Sequence, residues 1–307
     1  MPAKPHQSLR DFIWNSDEKK FLGRTGGSWL KIGIFYVIFY ACLLAFWVLC
    51  LVIFLQTLNL REPRWTAKSG SLIGLNPGLG FRPRPPAKSI ESTLIWFNRG
   101  KAENWGHWVK ELTNVTESYR FVDPNAGAQL TTCDYDKPAN ENQFCEFKID
   151  ELGGFCTKER RFGYEEGRPC IIVKLNKIYD WLPDFYPSVK DLPAHMPNAV
   201  KDIIAKDFAE PVTQNITRQN VWISCEGENP ADIENIGLVN YYPHPGFPTY
   251  YYPFTNVQGY QSPLVAVEFA DVKSGVLINI ECKAWARNIH HDRKERRGSV
   301  HFELMVD

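Results

Sequence analysis

The longest apolar run of the sequence, Ile32–Leu55, reads IGIFYVIFYACLLAFWVLCLVIFL and contains no charged residue. As a helix with a rise of about 1.5 Å per residue, these 24 residues would extend roughly 36 Å, enough to cross a hydrocarbon layer of about 30 Å. The run is too long for the core of a signal peptide, and no small-residue cleavage site follows it. It therefore predicts a retained transmembrane helix, residues 32–58, that also acts as a signal-anchor.

Cysteines and glycosylation sequons indicate the orientation of this span, whereas basic residues do not. Basic residues flank it on both sides, at Lys19, Lys20, Arg24 and Lys31 before it and at Arg61, Arg64 and Lys68 after it. Six of the eight cysteines follow the span, as do two N-x-[ST] sequons, at Asn114 and Asn215. Because disulfides and N-glycans form on the oxidising side of a membrane, the sequence predicts a type II protein with a cytoplasmic N-terminus and an extracellular C-terminus.

The segments around the span differ in composition. Residues 1–31 form a predicted cytoplasmic tail, too short for a hydrophobic core. Residues 59–88 are rich in proline and glycine and predict an extended stalk, and residues 89–307 predict a disulfide-bonded extracellular domain. At the start of that domain, Ser89–Leu112 has apolar residues near helical spacing, interrupted at 98–100 by Asn-Arg-Gly. This pattern predicts one helix or two short ones.

From Cys133 onward the sequence is typical of β-strands. Four segments rich in β-branched residues are bounded by Gly, Pro, Asn or Asp, namely Pro169–Leu175, Val221–Cys225, Pro263–Phe269 and Gly275–Cys282. A further segment, SVHFELMVD, alternates apolar and polar residues from Val300 to Val306 and predicts a half-buried final strand. Strands separated by long loops favour an antiparallel β-sandwich over a parallel sheet with crossover helices.

Composition and motifs exclude several classes of function. The net charge is zero, which argues against a nucleic-acid partner because such proteins usually carry a basic face. The sequence contains no phosphate-binding loop, zinc-protease motif, nucleophile elbow or dinucleotide-binding glycine pattern. His290 and His291 are adjacent in sequence and predict a polar surface loop rather than a metal site. The sequence thus predicts no catalytic residue, no metal site and no cofactor.

One motif supports an enzymatic alternative. Asp134-Tyr135-Asp136 resembles the D-x-D pair with which Golgi glycosyltransferases, also type II proteins with a stalk, hold a divalent cation against a sugar nucleotide. Two carboxylates at this spacing arise easily by chance, and no nucleotide-binding βαβ pattern lies beside them. A solvated turn is the favoured interpretation, and a type II Golgi glycosyltransferase is kept as an alternative from another class.

The cysteines that follow the span are interpreted as structural. They are Cys133, Cys145, Cys156, Cys170, Cys225 and Cys282. Six cysteines allow 15 pairings, and spacing does not choose among them. Sequential pairing would close two small loops and one large one, and each closure would stabilise the fold by roughly 3–4 kcal/mol on the loop-entropy model.

Two stretches make the chain recognisable. FIWNSDEKKFLGRTGGSW (Phe12–Trp29) precedes the span, and CEFKIDELGGFC (Cys145–Cys156) is followed by RFGYEEGRPCIIVKLNKIYDW. Together they closely resemble the β subunits of the sodium/potassium-transporting ATPase and of its proton/potassium relative. The resemblance continues through FYVIFY in the span, CEGENPADIENIG (Cys225–Gly237), PGFPTYYYP (Pro245–Pro253) and IECKAWARNI (Ile280–Ile289).

This resemblance implies a fold and a role. The family's ectodomain is an immunoglobulin-like β-sandwich with long loops, sequentially paired disulfides and N-glycans, which Asn114 and Asn215 would match. Its members are not enzymes. They assemble in the plasma membrane with a large catalytic α subunit, enable its folding and export, and modulate potassium binding and occlusion. A small single-span regulatory protein can join the complex.

The chain also departs from the family pattern. After the extracellular tyrosines it reads Phe254-Thr255-Asn256 where many relatives continue with aromatic residues, and it has a long proline-rich insert before Ser89. The GRTGGSW segment favours the sodium/potassium branch, with a proton/potassium ATPase β subunit as the alternative. A cell-adhesion role of the ectodomain is a further alternative, compatible with the first.

Aromatic residues predict where the partner binds. Tyr36 and Tyr40 are one helical turn apart with Phe39 beside them, and Ala41 and Ala45 form a small-xxx-small pair that permits close helix approach. Tyr40 lies about 12 Å along the span, too deep for the aromatic belt at the membrane surface. We expect this side of the helix to contact the α subunit. The extracellular tyrosines Tyr250, Tyr251 and Tyr252 are predicted to form a second α-facing site, with membrane lipid around the span.

Overall fold

The chain divides into two units, Met1–Leu60 and Arg61–Asp307, each considered by itself. The structure is a computed structural model. It describes residues 13–15, 19–59, 62–66, 70, 74–89, 92–121, 129–140, 142–209, 219–295 and 297–307.

The first unit consists of a small antiparallel sheet followed by a long helix. Its strands are β1 (Trp14–Asn15), β2 (Lys20–Phe21) and β3 (Arg24–Thr25), and its helix is α1 (Gly26–Gln56). Among the described residues, α1 is the one helix long and apolar enough to cross a membrane, and none of its residues is buried. It begins six residues before the predicted start at residue 32, because a helix can continue beyond the hydrocarbon layer into the headgroup region.

The second unit contains eleven more strands and three more helices within its described ranges. The strands are β4 (Leu79–Arg82), β5 (Leu94–Phe97), β6 (Gln129–Thr131), β7 (Gln143–Cys145), β8 (Cys170–Leu175), β9 (Asn220–Gly227), β10 (Val239–Tyr242), β11 (Gly246–Pro248), β12 (Val265–Phe269), β13 (Ile278–Trp285) and β14 (Ser299–Val306). The helices are α2 (Ala102–Arg120), α3 (Asn198–Ala209) and α4 (Pro230–Asn235).

Two sheets form the body of this ectodomain. One has four antiparallel strands in the order β10-β12-β8-β4. The other has five strands in the order β11-β9-β13-β14-β5, antiparallel except for the parallel pair β14–β5. The short strands β6 and β7 form a separate parallel pair.

The two sheets pack face to face through the side chains that alternate inward along each strand. Phe81 of β4 and Phe269 of β12 both contact the ring of Phe302 on β14, with ring centroids 4.9 and 6.1 Å away. Along β14, Phe302, Leu304 and Val306 are buried and the residues between them are half-buried, as the alternating pattern predicted. The expected mainly antiparallel β-sandwich is thus confirmed.

Two segments differ from the sequence-based expectation. Leu79–Arg82, assigned to the stalk of residues 59–88, is an edge strand paired with β8, since Leu79 and Phe81 are buried in the core. Leu94–Phe97, expected to be helical, is β5, with Ile95 and Phe97 fully buried and Trp96 exposed. The helix begins only at Ala102, beyond the interruption at residues 98–100, and buries its predicted apolar face.

The disulfides pair sequentially, as the resemblance implied. The bonds are Cys133–Cys145, Cys156–Cys170 and Cys225–Cys282. The third joins residues directly opposite each other on β9 and β13, with a Cα–Cα distance of 4.0 Å, and so reinforces the centre of the five-stranded sheet.

Candidate partner interface

Four aromatic rings form a continuous ridge on α1. Phe35 stacks on Phe39 and Tyr36 on Tyr40, with ring centroids 6.1 and 6.0 Å apart and planes within 24°. Edge contacts of 5.5 Å (Phe35–Tyr36) and 5.4 Å (Phe39–Tyr40) join the two pairs. The i, i+4 spacing produces this arrangement, because residues one turn apart lie on the same side of a helix. The sequence analysis did not include Phe35 in this group, although its i, i+4 spacing to Phe39 already indicated that the two rings lie on the same side of the helix.

The two tyrosine hydroxyls of this ridge have no hydrogen-bond partner among the described residues. The Tyr36 and Tyr40 side chains are 49% and 60% exposed. An unpaired hydroxyl is costly in a hydrocarbon environment, and helices that pack within membranes often satisfy such groups from a neighbouring helix. The ridge therefore has the chemistry of a helix-packing surface.

The predicted alanine pair lies on a different side of α1. At about 100° of rotation per residue, Ala41 and Ala45 are roughly 140° and 180° around the helix from Tyr36. One straight partner helix cannot contact both the tyrosines and the alanines. The helix thus presents an aromatic side and a small-residue side.

In the ectodomain, the predicted contact residues Tyr250, Tyr251 and Tyr252 belong partly to the core. Tyr251 is 6% exposed, and its hydroxyl donates to the Glu146 carbonyl oxygen at 2.8 Å. Tyr252 is half-buried, with its ring centroid 5.6 Å from that of Trp181. Tyr250 is also half-buried, so the surface available to a partner lies on Tyr250 and Tyr252 rather than on Tyr251.

Burial also shifts the acidity of these phenols. Loss of hydration on burial, with a smaller contribution from the nearby Asp134 carboxylate, raises the pKa of Tyr250 to about 12. Burial raises the pKa of Tyr251 and of Tyr252 well above the usual value for tyrosine. All three hydroxyls are thus protonated at physiological pH and act as neutral groups.

A buried carboxylate elsewhere in the ectodomain was missed by sequence reasoning. Glu268 in β12 is fully buried and pairs with Arg168 at 2.8 Å, while the Tyr242 hydroxyl donates to it at 3.0 Å and the Asn240 amide at 3.2 Å. The Tyr242 ring covers Gly154, which has a positive φ and no room for a side chain. The signal was present in the sequence, since Glu268 interrupts the apolar run PLVAVEF.

The two predicted glycosylation positions differ in what the structure describes. Asn114 is exposed on α2, where a glycan could extend into solvent. The sequon threonine, Thr116, is buried, and its hydroxyl donates to the Thr113 carbonyl oxygen at 3.0 Å. Asn215 lies outside the described residues.

The residues weighed for metal binding have structural contacts instead. Asp134 forms a turn with Lys137 through two backbone hydrogen bonds, and the Tyr135 hydroxyl donates to Asn220 at 2.7 Å. His291 packs against Trp285, with ring centroids 4.6 Å apart. In the described part of the chain, no group of three or more His, Cys, Asp or Glu residues could hold a metal ion.

Comparison with known proteins finds a matching family model and relatives that are similar over nearly the whole chain. Residues 2–302 match the model of a family described as "Sodium / potassium ATPase beta chain". The chain is 49% identical to the sodium/potassium-transporting ATPase subunit beta-2 of Drosophila melanogaster over 310 residues, covering 100% of this chain and 94% of the relative. It is 37% identical to subunit beta-1 of the same organism, with the same coverage, and 27% identical to human subunit beta-2, covering 98% and 94% of the two chains.

Proposed function

The chain belongs to the family of the sodium/potassium ATPase β chain, the non-catalytic subunit of that pump, and we propose that it folds, exports and regulates a catalytic α subunit. Membership of this family implies pairing with such a subunit. The proposed role includes assembly of the pair, stability of the α subunit in the plasma membrane, and modulation of potassium binding and occlusion. A small single-span regulatory subunit is a further proposed member of the complex.

The aromatic ridge of α1 supports a physical mechanism for assembly. A multi-span pump carries polar, ion-binding groups within the membrane, and such groups are costly unless they are packed and paired. A neighbouring helix that supplies rings and hydroxyls lowers this cost and stabilises the folded pump by mass action. Tyr36, Phe39 and Tyr40 are the proposed contacts within the membrane, together with Phe35.

The ectodomain supplies the second part of the proposal. Tyr250 and Tyr252 retain partial exposure beside a rigid core, which suits residues that contact a partner without changing shape. Tyr251 supports them from beneath through its hydrogen bond to Glu146. We place the extracellular α contact at the surface of this stretch.

The proposed topology is type II, with the helix as an uncleaved signal-anchor in the plasma membrane. Three disulfides in the ectodomain support an extracellular location, since such bonds persist in oxidising compartments. N-glycans are proposed at Asn114, whose side chain is exposed, and at Asn215.

The observation that carries the proposal is the pair of unpartnered tyrosine hydroxyls on a helix that has no second span beside it among the described residues. The test is purification of the full-length, tagged chain from detergent-solubilised membranes, with mass spectrometry of what accompanies it. We expect a multi-span cation ATPase in equal amount. Recovery of the chain alone would contradict the proposal, as would a sugar-nucleotide activity that disappears with Asp134→Ala.

A further inference from the structure

The small sheet before α1 has two chemically different faces. Directly opposed residues on neighbouring strands point to the same side, and the register aligns Trp14 with Phe21 and Phe21 with Arg24. The alternate row, Asn15, Lys20 and Thr25, faces the other way. We name the described residues 13–15 and 19–25 the juxtamembrane cap. One face of it combines two aromatic rings with a guanidinium group.

The first turn of α1 extends this aromatic face. The Trp29 ring lies 6.1 Å from the Phe21 ring, and its indole N–H donates to the Phe21 carbonyl oxygen at 2.9 Å. These contacts fix the cap against the start of the helix. Phe21 and Trp29, with Trp14 opposite Phe21, thus belong to one surface.

The cap has no core of its own. Trp14 is 55% exposed, Phe21 47% and Trp29 37%, and no described residue of the cap is buried. Three strands of two residues each, without buried apolar area, are not stable in water by themselves. The aromatic face therefore needs a second surface to cover it.

The length of α1 indicates what that surface is. Its 31 residues extend about 46 Å, close to the roughly 40–45 Å thickness of a bilayer including its headgroups. The uncharged run from Ile32 fills the hydrocarbon, which places Gly26–Lys31 and the adjoining cap at headgroup depth. Tryptophan at this depth is typical of interfacial anchors.

We propose that the aromatic face of the juxtamembrane cap binds the anionic lipid headgroups of the cytoplasmic leaflet. This inference rests on the proposed orientation, with the N-terminus in the cytoplasm. Arg24 shares the face with Phe21, and its planar guanidinium can pair with a headgroup phosphate or carboxylate. Lys19 of the cap and Lys31 of α1 are also exposed. Two carboxylates close in sequence, Asp17 and Glu18, lie outside the described residues.

The test uses the full-length chain, co-purified with its α subunit and reconstituted into vesicles. The vesicles contain phosphatidylcholine alone or phosphatidylcholine with phosphatidylserine as a minor component. Photoreactive p-benzoylphenylalanine replaces Phe21, and mass spectrometry identifies the molecules that become attached on illumination. The same substitution at Leu238, an exposed residue of the ectodomain, is the matched control.

We expect phosphatidylserine adducts at Phe21 in excess of its share of the lipid, and no lipid adducts at Leu238. Since each interfacial cation changes binding roughly fivefold, Arg24→Gln with Lys31→Gln should remove the excess, whereas Lys273→Gln with Lys294→Gln should not. Adducts with the α subunit only, or with the two lipids in their bulk ratio, would overturn the proposal. Recovery of the α subunit is measured in the same sample. If the α subunit is absent but the lipid adducts remain, the result contradicts the proposed function and leaves the lipid proposal standing.

Discussion

Tyrosine has opposite roles in the two units of the molecule. On α1, Tyr36 and Tyr40 are exposed, and their hydroxyls have no partner among the described residues. In the ectodomain, Tyr251 is buried, and its hydroxyl is bonded to the Glu146 carbonyl oxygen. The comparison teaches that the same residue type fills a core in one unit and remains exposed on the helix of the other, unpaired within the part of the chain that the structure describes.

Alkaline pH should give the largest difference between the two units. Burial raises the pKa of several ectodomain phenols above the usual value, namely those of Tyr119, Tyr164, Tyr241 and Tyr251. Above about pH 10 these phenols stay protonated in the folded state but ionise in the unfolded state. The free energy of unfolding therefore keeps its full value below pH 10 and decreases as the pH rises further. We expect the ectodomain to unfold cooperatively above pH 10, measured by tyrosinate absorbance together with circular dichroism. Ionisation of all 13 tyrosines near pH 10 without loss of structure would contradict this.

Tyr251→Ala should be the most damaging single substitution in this comparison. Removing a buried aromatic ring leaves a cavity and costs about 3–5 kcal/mol of the free energy of unfolding. Urea unfolding of the full-length chain in detergent, followed by tryptophan fluorescence, measures the change. Tyr40→Ala is the matched control and should leave the ectodomain transition in place. An equal effect of both substitutions would remove the distinction between the two tyrosine roles.

The double variant Tyr36→Leu with Tyr40→Leu should act on assembly without changing the ectodomain. Interhelical hydrogen bonds in membranes average about 0.6 kcal/mol each, so losing two should weaken association with the α subunit by roughly tenfold. Co-purification at increasing detergent dilution measures this, together with the potassium response of the pump. The double variant Tyr36→Phe with Tyr40→Phe keeps the rings and separates packing from hydrogen bonding. Unchanged association in both variants would show that the ridge faces lipid.

Tyr251→Phe should have the smallest effect, about 1 kcal/mol of the free energy of unfolding. The ring remains in place, and the hydroxyl's bond to the Glu146 carbonyl oxygen is lost. The same urea experiment measures the shift, with Tyr36→Phe as the control that should leave the transition where it was. A null result for Tyr251→Phe would mean that water replaces the lost hydroxyl.

The sequence predicted the features of this fold that depend on local pattern. The transmembrane run follows from its length and lack of charge, the strands from their β-branched residues, and the alternation along β14 from spacing. The strand β5 could not be predicted this way, because its apolar residues fit helical spacing as well. It is a strand because it pairs in parallel with β14. The two segments are distant in sequence, since Thr93, just before β5, donates a hydrogen bond to Glu303, 210 residues away.

The same limit applies to the candidate interface. The spacing of Tyr36 and Tyr40 predicted a ridge, which the stacked rings on α1 match. The three extracellular tyrosines have consecutive positions, and no local pattern indicates that Tyr251 is buried while its neighbours are half-buried. That distinction arises from contacts with Glu146, Phe147 and Trp181, which are distant in sequence.

The position of β14 also imposes an order on biosynthesis. This strand lies between β13 and β5, and its residues fill the centre of the sandwich core. A ribosome releases it after every other strand of its sheet, so β13 and β5 each keep an unpaired edge until β14 has been synthesised. Unpaired edges attract chaperones and favour aggregation. Closure by β14 therefore distinguishes an ectodomain with a paired five-stranded sheet from one in which two strand edges are still open.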